Sequence, residues 1–295
     1  LTMTAATTTP PVRQPLIKSR ALRRFLSHKL AMVGLFMVLG LTFACFVGPY
    51  LLAYDELYID LRARFAPPGT GGHIFGTDPL GRDLAARLFH AGQISMAVGF
   101  AVMVIATTVG SVVGVVSGYY GGKISAVLMR VVDAFLSFPS VFLLLALAAF
   151  IQPGPVMIAV IISATSWMEV ARIVEAEVKS LRNQDFVQAA HMLGLSGRWI
   201  MFRELLPNAI GPIIVAASLT VARAILLEAY ISFLGYGIQP PLPSWGNLLN
   251  GAQQYLGSAP WLAIIPGLAI TIAVTGFNFI GDGLRDAFDS RAQGQ

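Results

Sequence analysis

Long uncharged apolar stretches are the feature that most constrains how this chain can fold. A helix needs about 20 apolar residues to cross roughly 30 Å of hydrocarbon. Only 12% of the residues are charged and 56% are hydrophobic, whereas soluble domains carry about 25% charged residues. The sequence therefore predicts an all-α integral membrane protein with six transmembrane helices, near residues 30–52, 94–119, 126–151, 156–171, 209–234 and 261–280.

The distribution of basic residues predicts the orientation of these helices. With the N-terminus inside, the cytoplasmic side holds fifteen Lys and Arg residues, namely Arg13, Lys18, Arg20, Arg23, Arg24, Lys29, Lys123, Arg130, Arg172, Lys179, Arg182, Arg198, Arg203, Arg285 and Arg291. Four lie outside, namely Arg62, Arg64, Arg82 and Arg87. Because cytoplasmic loops retain Lys and Arg, both termini are predicted to be cytoplasmic. The net charge of +5 thus reflects topology, and no nucleic-acid partner is expected.

The same pattern divides the chain into segments of a multi-pass protein of the cytoplasmic (inner) membrane. The third predicted helix contains Asp133 and Pro139, which interrupt its apolar run. The predicted segments are a basic cytoplasmic N-terminal arm (1–29), the first transmembrane helix (30–52), an external loop region (53–91), a core of five transmembrane helices (92–283) with a long cytoplasmic loop (172–207), and a cytoplasmic tail (284–295).

A repeat of small residues marks the second predicted transmembrane helix. Gly110, Gly114 and Gly118 are spaced four residues apart, so they share one helix face. Small residues allow two helices to approach closely in lipid. The repeat therefore predicts a tight contact with a neighbouring helix.

The long cytoplasmic loop is predicted to contain two short helices. Asp185 can cap the first, and Gly194 is the residue type expected just after a helix end. The second would run from Ser196 or Gly197 to Leu206, before Pro207.

One face of the first loop helix is apolar. Phe186, Ala189, Ala190 and Leu193 have helical spacing. This face could enter a groove in a cytoplasmic partner, or it could pack under the protein's own helices. The spacing leaves both interpretations open.

Several strings in this sequence have a specific pattern. Gln188-Ala189-Ala190 is followed after three residues by Gly194, and after nine more by Glu204-Leu205-Leu206-Pro207. This pattern resembles the cytoplasmic EAA loop of binding-protein-dependent ABC importers, with Gln188 in place of the usual Glu and Glu204 in place of Ile. Strings that resemble the second permease subunit of the dipeptide, oligopeptide and nickel importers occur at residues 76–83, 118–122, 133–139, 228–237, 240–246 and 281–286.

This resemblance implies an ABC importer type I permease fold and a subunit that is not an enzyme by itself. It implies a homologous permease partner, two cytoplasmic ATPase subunits or one fused ATPase that bind ATP and Mg, and an extracytoplasmic substrate-binding protein. The chain has no phosphate-binding loop of its own. The ATPase-coupling residues implied by the loop are Asp185, Phe186, Gln188, Ala189, Ala190, Leu193 and Gly194.

Three ionisable residues within the predicted spans are candidates for the pathway or for gating. A charge at the bilayer centre costs about 2.5 kcal/mol or more, so Asp133, Arg223 and Glu228 each need a partner or a role. Asp133 can pair with Arg130, three residues earlier. Arg223 and Glu228 are about 140° apart around a helix, so we expect them to contact different partners. Glu228 is open to a structural, a gating or a substrate-contact role.

The external string contains three charged residues, Asp78, Arg82 and Asp83. They are either ordinary solvated groups or contacts for the binding protein or the paired permease. No metal site is predicted, because the His residues lack ligand spacing and Cys45 is the single Cys.

Three classes of function remain to be compared. The favoured one is a permease subunit of an ATP-driven importer of dipeptides or oligopeptides, and the same machinery could carry nickel or glutathione. A stand-alone secondary transporter would predict inverted repeats, which the sequence does not show. A membrane hydrolase would need a nucleophile and a base, and no such pair is evident.

Overall fold

The computed structural model describes residues 17–150 and 154–288. Within these ranges the chain is helical, with isolated β-bridges at Thr70–His73 and Thr77–Asp83. The predicted arm before residue 17, residue 151 at the end of the third predicted span, and the tail from residue 289 lie outside the described ranges. The helices are α1 (Ile17–Ser27), α2 (Lys29–Val47), α3 (Leu84–Tyr120), α4 (Gly122–Leu136), α5 (Ser140–Phe150), α6 (Pro155–Arg182), α7 (Asp185–Met192), α8 (Gly197–Trp199), α9 (Leu206–Asn208), α10 (Ile210–Phe233), α11 (Trp245–Leu249) and α12 (Trp261–Phe288).

Five helices within the described ranges, α2, α3, α6, α10 and α12, are long and apolar enough to cross a membrane. A sixth crossing requires α4 and α5 to be counted together, and these two helices are bent by 79° at the break between them. Pro139 lies at that break, where its ring and its missing N–H stop the helix from continuing. The third predicted span is therefore a broken helix pair.

Several helices extend beyond the predicted boundaries. α3 begins at Leu84, ten residues before the predicted start at 94, and α6 continues to Arg182 rather than ending near 171. The 37 residues of α3 correspond to about 55 Å at 1.5 Å per residue, well beyond the hydrocarbon thickness. Hydropathy marks only the part of a helix that lies in lipid. The N-terminus of α3 is set by its cap instead, because the Asp83 carboxylate accepts a hydrogen bond from the backbone N–H of Ala86 at 2.8 Å.

The glycine repeat of α3 packs against α6, as its spacing predicts. A Cβ atom at Gly110 would lie 2.6 Å from the carbonyl oxygen of Trp167, and one at Gly114 would lie 2.7 Å from that of Ala171. A Cβ at Gly118 would lie 2.7 Å from the Cβ of Val178. Real Cβ atoms do not approach so closely, so only glycine allows this distance between the two helices.

The central core joins α2, α3, α10, α11 and α12. Trp245 of the short α11 is fully buried there, and its indole Nε1 donates to the carbonyl oxygen of Leu88 at 3.1 Å. Cys45 of α2, Ile225 of α10 and Phe277 of α12 pack in the same cluster. The segment after α10 thus returns into the helix bundle and fastens the ends of α3 and α10 together.

The segment before α3 folds against the chain near α12. Phe65 and Phe75 pack with Tyr255 and Trp261. Gly81 has a φ of 73°, and a Cβ atom there would collide with the backbone of Asp60. Only glycine combines that backbone conformation with such a close approach. The predicted external region is therefore a packed element with defined turns.

Candidate functional site

The first helix of the predicted cytoplasmic loop, α7, begins at Asp185, the residue predicted to cap it. Gln184 is the N-cap residue, and Asp185 lies in the first turn, where its negative charge complements the helix dipole. Gly194, at φ 74°, follows the helix end. Its N–H donates to the carbonyl oxygen of His191, and the N–H of Leu195 donates to that of Ala190. These two bonds form a Schellman motif, which explains the glycine.

The predicted apolar face of α7 is divided between two surroundings. Ala190 is buried and Phe186 is half-buried, and both pack on a cluster formed with α6 and the following helical segment. Ala189 and Leu193 are exposed. The spacing left open whether this face packs inward or meets a partner. The structure buries its Ala190 side together with the fully buried Val187 and leaves Ala189 and Leu193 open to solvent.

The exposed side of α7 combines polar and apolar residues. Met192 and Leu193 are large apolar residues open to solvent. Gln188 is also exposed, and its side-chain amide donates to the carbonyl oxygen of Asn183 at 3.3 Å. Gln188 stands where the EAA pattern usually has Glu, so it offers no carboxylate, and its amide bonds within the loop instead. The exposed residues Gln188, Ala189, Met192 and Leu193 are named the α7 outer face below.

The second loop helix continues beyond its predicted end. α8 is followed by a π-helical segment, Ile200–Leu205, and then by α9, which contains Pro207. α8 begins at Gly197, one of the two predicted starts, and Ser196 caps it by accepting from the backbone N–H of Trp199. Proline is tolerated in the first turn of a helix, where its missing N–H would have no partner. Pro207 therefore begins a new turn instead of ending the helix.

Asp133 pairs with Arg172 of α6, and not with Arg130 as predicted. Each of the two paired side chains is about half exposed, with a relative side-chain area of 54%. Asp133 does not pair with Arg130 on its own helix, because α4 packs beside α6 and this brings Arg172 to the carboxylate. The ion pair links these two helices on a surface that the chain itself does not cover.

Arg223 forms an ion pair with Glu169 of α6. As predicted, it does not contact Glu228. Arg223 and Glu169 are each about half exposed, at 56% and 47% of their side-chain areas. On α10 the exposed residues Leu219, Leu226 and Tyr230 share its face. Glu169 belongs to none of the sequence motifs, so it was not predicted as a partner of Arg223. Its position as a lone acidic residue in an apolar stretch could have indicated it.

Glu228 lies in the interior, with no exposed area. Its carboxylate accepts hydrogen bonds from the hydroxyls of Ser95 on α3, at 2.8 Å, and Ser232, at 2.7 Å. The oxygen of Ser95 accepts in turn from the backbone N–H of Trp245 at 3.2 Å, and that of Ser232 from the N–H of Ile238 at 3.1 Å. The carboxylate is thus the centre of a network that joins α3, α10 and α11.

Asp78 and Asp83, in the predicted external region, are buried, so the expectation of solvated groups is wrong for them. Asp78 accepts from the backbone N–H groups of Leu80 and Arg82 and from Nε of Arg82, the last at 2.7 Å. Asp83 contacts Nδ1 of His73 at 2.9 Å as well as capping α3. Arg82 alone keeps part of its side chain open to solvent.

One buried arginine was missed by sequence reasoning. Arg87, in the first turn of α3, borders a cavity of about 480 Å³ together with Asp78, Arg82 and several residues of the segment between the end of α10 and the start of α12, among them Ser232 and Gln254. A cation four residues after a helix cap, at the start of a long apolar helix, was the available signal. Among the described residues, no group of three or more His, Cys, Asp or Glu side chains is placed to hold a metal ion.

Comparison with known proteins shows the family. Residues 110–294 match the family described as binding-protein-dependent transport system inner membrane component. The chain belongs to this family. Residues 18–68 match the N-terminal transmembrane domain of oligopeptide transport permease C. The resemblance inferred from the EAA-type loop is confirmed, and the chain is a multi-pass inner membrane component that works with a binding protein rather than a stand-alone secondary transporter.

Relatives of this inner membrane component match along almost its whole length. The oligopeptide transport system permease protein OppC of Haemophilus influenzae is 38% identical over 92% of this chain and 88% of its own. The dipeptide transport system permease protein DppC of Alkalihalophilus pseudofirmus is 36% identical over 92% and 89%.

A solved structure of the MetNI methionine ABC transporter, in an inward-facing conformation, has a similar fold. The TM-score is 0.58 at 21% identity, covering 68% of this chain and 96% of that one. The ABC importer permease fold expected for the chain is thereby supported at the level of the helix arrangement.

Proposed function

We propose that the chain is a permease subunit of an ATP-driven importer of dipeptides or oligopeptides. The observation that carries this proposal is the match to oligopeptide and dipeptide permeases over 92% of the chain. In the proposed assembly the chain pairs with a homologous permease, and the two together form the pathway. A substrate-binding protein delivers the peptide from outside, and both termini lie in the cytoplasm.

The exposed faces of the helices support the position of the pathway. The Arg223–Glu169 pair lies near the middle of α10 and α6 and is half exposed. An ion pair facing lipid at that depth would cost several kcal/mol. In the proposed assembly this face therefore lies against the paired permease or against water in the pathway, and the Asp133–Arg172 pair lies on the same exposed side of α6.

The α7 outer face is the proposed contact for the ATPases. Two ATPase subunits, or one fused ATPase, would bind ATP and Mg and would supply the energy. Met192 and Leu193 offer an exposed apolar contact, while the buried Val187 and Ala190 attach α7 rigidly to the bundle. A rigid attachment is what the proposed coupling requires, because closure of the ATPases must then move the transmembrane helices. ATP binding would open the pathway outward, and hydrolysis would return it inward.

Uptake by the reconstituted importer tests the proposed function. The two permeases and the ATPases are reconstituted into proteoliposomes with ATP and Mg inside, and the binding protein and a labelled dipeptide are added outside. We expect the proteoliposomes whose ATPases face the interior to accumulate the dipeptide. Omitting ATP, or omitting this chain, should abolish accumulation. Unlabelled dipeptide should compete, whereas nickel and glutathione should not. Competition by either of the latter, without competition by peptides, would contradict the peptide assignment.

Replacing Glu228 by Gln should reduce stability without changing which peptides are carried. The amide can accept on only one of its two polar atoms, so one hydroxyl bond to the carboxylate is lost, at a cost of about 1–3 kcal/mol. Thermal unfolding of the purified assembly should show the loss. The ratio of uptake of free to N-acetylated dipeptides should stay at its wild-type value, because Glu228 is wholly enclosed. A changed ratio would indicate that Glu228 contacts the substrate. Glu177→Gln, near the C-terminal end of α6, is the control and should match the wild type in stability and in the uptake ratio.

A further inference from the structure

The cavity beside Arg87 lies where α3 begins and α10 ends. Its wall includes Arg87 in the first turn of α3, Ser232 near the end of α10, and Gln254 from the segment before α12. The volume of about 480 Å³ falls within the range of roughly 300–1,000 Å³ that is usual for small-molecule sites. The cavity is therefore large enough for one end of a peptide.

Arg87 has hydrogen-bond donors that no residue in the described ranges uses. It is only 4% exposed, and its Nε and Nη1 atoms are buried without a hydrogen-bond partner among the described residues. The nearest carboxylate oxygen, Oδ2 of Asp78, is 3.7 Å from Nε, and it already accepts from Nε of Arg82 at 2.7 Å. Asp78 is therefore committed to Arg82 and to the turn that precedes α3.

A carboxylate is a ligand that suits a free guanidinium donor, because it matches the two parallel donors along one edge of the group. Nε and Nη1 lie on different edges, so a bound carboxylate would engage one of these two atoms. The charged residues in the cavity wall are Arg82, Arg87 and Asp78, so cations exceed anions by one. An ammonium group would be repelled by this excess, whereas an anion would be attracted.

The place of the cavity in the fold favours the solute over a protein side chain as the source of the carboxylate. Arg87 is recessed, which suits a small ligand better than a flat protein surface. Ser232 in the cavity wall adjoins Phe233, where the exposed stripe of α10 that carries Arg223 ends. We propose that this cavity receives the C-terminal carboxylate of a peptide as it leaves the binding protein. The inference rests on the proposed function.

Uptake of a dipeptide and of its C-terminal amide tests the proposal. The complete importer is reconstituted with a dipeptide that the binding protein binds both as the free acid and as the amide. The binding protein is saturated with one form or the other, and uptake of each is measured. In Arg87→Gln the ratio of free to amidated uptake should fall about tenfold, since a charged hydrogen bond is worth about one such factor in affinity. In Gln254→Glu, which adds a negative charge to the exposed part of the wall, it should fall about threefold.

Gln253→Glu is the matched control, because Gln253 is the exposed neighbour of Gln254 and does not line the cavity. Its uptake ratio should equal that of the wild type. If Arg87→Gln does not assemble, Gln254→Glu decides. Unchanged ratios in the cavity variants would overturn the proposal. So would weaker docking of the binding protein to Arg87→Gln, measured by surface plasmon resonance, with equal losses for both peptides, because the cavity would then serve the binding protein. A wild-type importer that takes up neither peptide would overturn the proposed function itself.

Discussion

Replacing Leu193 by Lys is expected to lower ATP-driven peptide uptake at least tenfold while the permease remains folded. Leu193 follows the last turn of α7 and is 78% exposed, next to the exposed Met192. In the proposed complex these side chains enter a groove of an ATPase. A Lys there would carry an unpaired charge into an apolar contact, and truncating or charging such an anchor costs about 2 kcal/mol or more. The measurements are peptide uptake and the stimulation of ATP hydrolysis by loaded binding protein.

Lys is chosen because it disturbs little else. A cation near the C-terminus of a helix is favourable, and an added cation on a cytoplasmic loop agrees with the predicted topology. Ser180→Lys, at an exposed position near the C-terminal end of α6, adds the same charge away from the α7 outer face and should retain uptake. Wild-type uptake by Leu193→Lys would remove α7 from the coupling contact. Gly194→Asp is a less direct test, because its φ of 74° adds backbone strain to any effect on docking.

Replacing Gly114 by Leu is expected to prevent the permease from folding in good yield. A Cβ atom at this position would lie 2.7 Å from the carbonyl oxygen of Ala171 and 2.7 Å from the Cβ of Val174. Neither atom can move without moving α6. Overpacking costs about 1–3 kcal/mol even where side chains can adjust, and here the backbones themselves must separate. The yield of monodisperse protein in detergent and its thermal unfolding midpoint should both fall sharply.

Gly40→Leu is the matched control for this prediction. Gly40 lies within α2, and a Cβ atom there would have no neighbour within 4 Å. Leu is also a better helix former than Gly, which is about 0.8–1.0 kcal/mol less favourable than Ala in a helix, so this variant should fold as well as the wild type. Equal stability of Gly114→Leu and Gly40→Leu would show that α3 and α6 are not in close contact.

Much of the local structure in the loop between α6 and α10 could be predicted because its signals are local. Gly194 ends α7 through bonds to residues only a few positions away, and Ser196 caps the next turn in the same way. The orientation of α7 could not be predicted. It depends on Val187 and Ala190 joining a cluster with residues distant in the chain, such as Val115 and Ile213, and the spacing of apolar residues alone does not say which of two neighbouring faces is buried.

The charged residues of the predicted external region show the same limit. Asp83 caps α3 through a local bond, but its contact with His73 requires the preceding segment to fold back. Asp78 and Arg82 are four residues apart and form a local pair. The unused donors of Arg87 are evident only when the positions of all neighbouring side chains are known, because a sequence does not reveal that the nearest carboxylate is already committed.

The sequence by itself determined the membrane class, the approximate position of each apolar helix, the tight glycine contact of α3 and the family pattern of the cytoplasmic loop. Hydropathy, small-residue spacing and turn chemistry act over short stretches of chain, so they can be read in order. Only the tertiary structure decided the surroundings of the ionisable residues. Arg223 and Glu228 lie in one helix, yet Arg223 reaches Glu169 on an open face while Glu228 is enclosed by α3 and α11. The physical reason is that burial is set by the neighbouring helices, which come from distant parts of the chain.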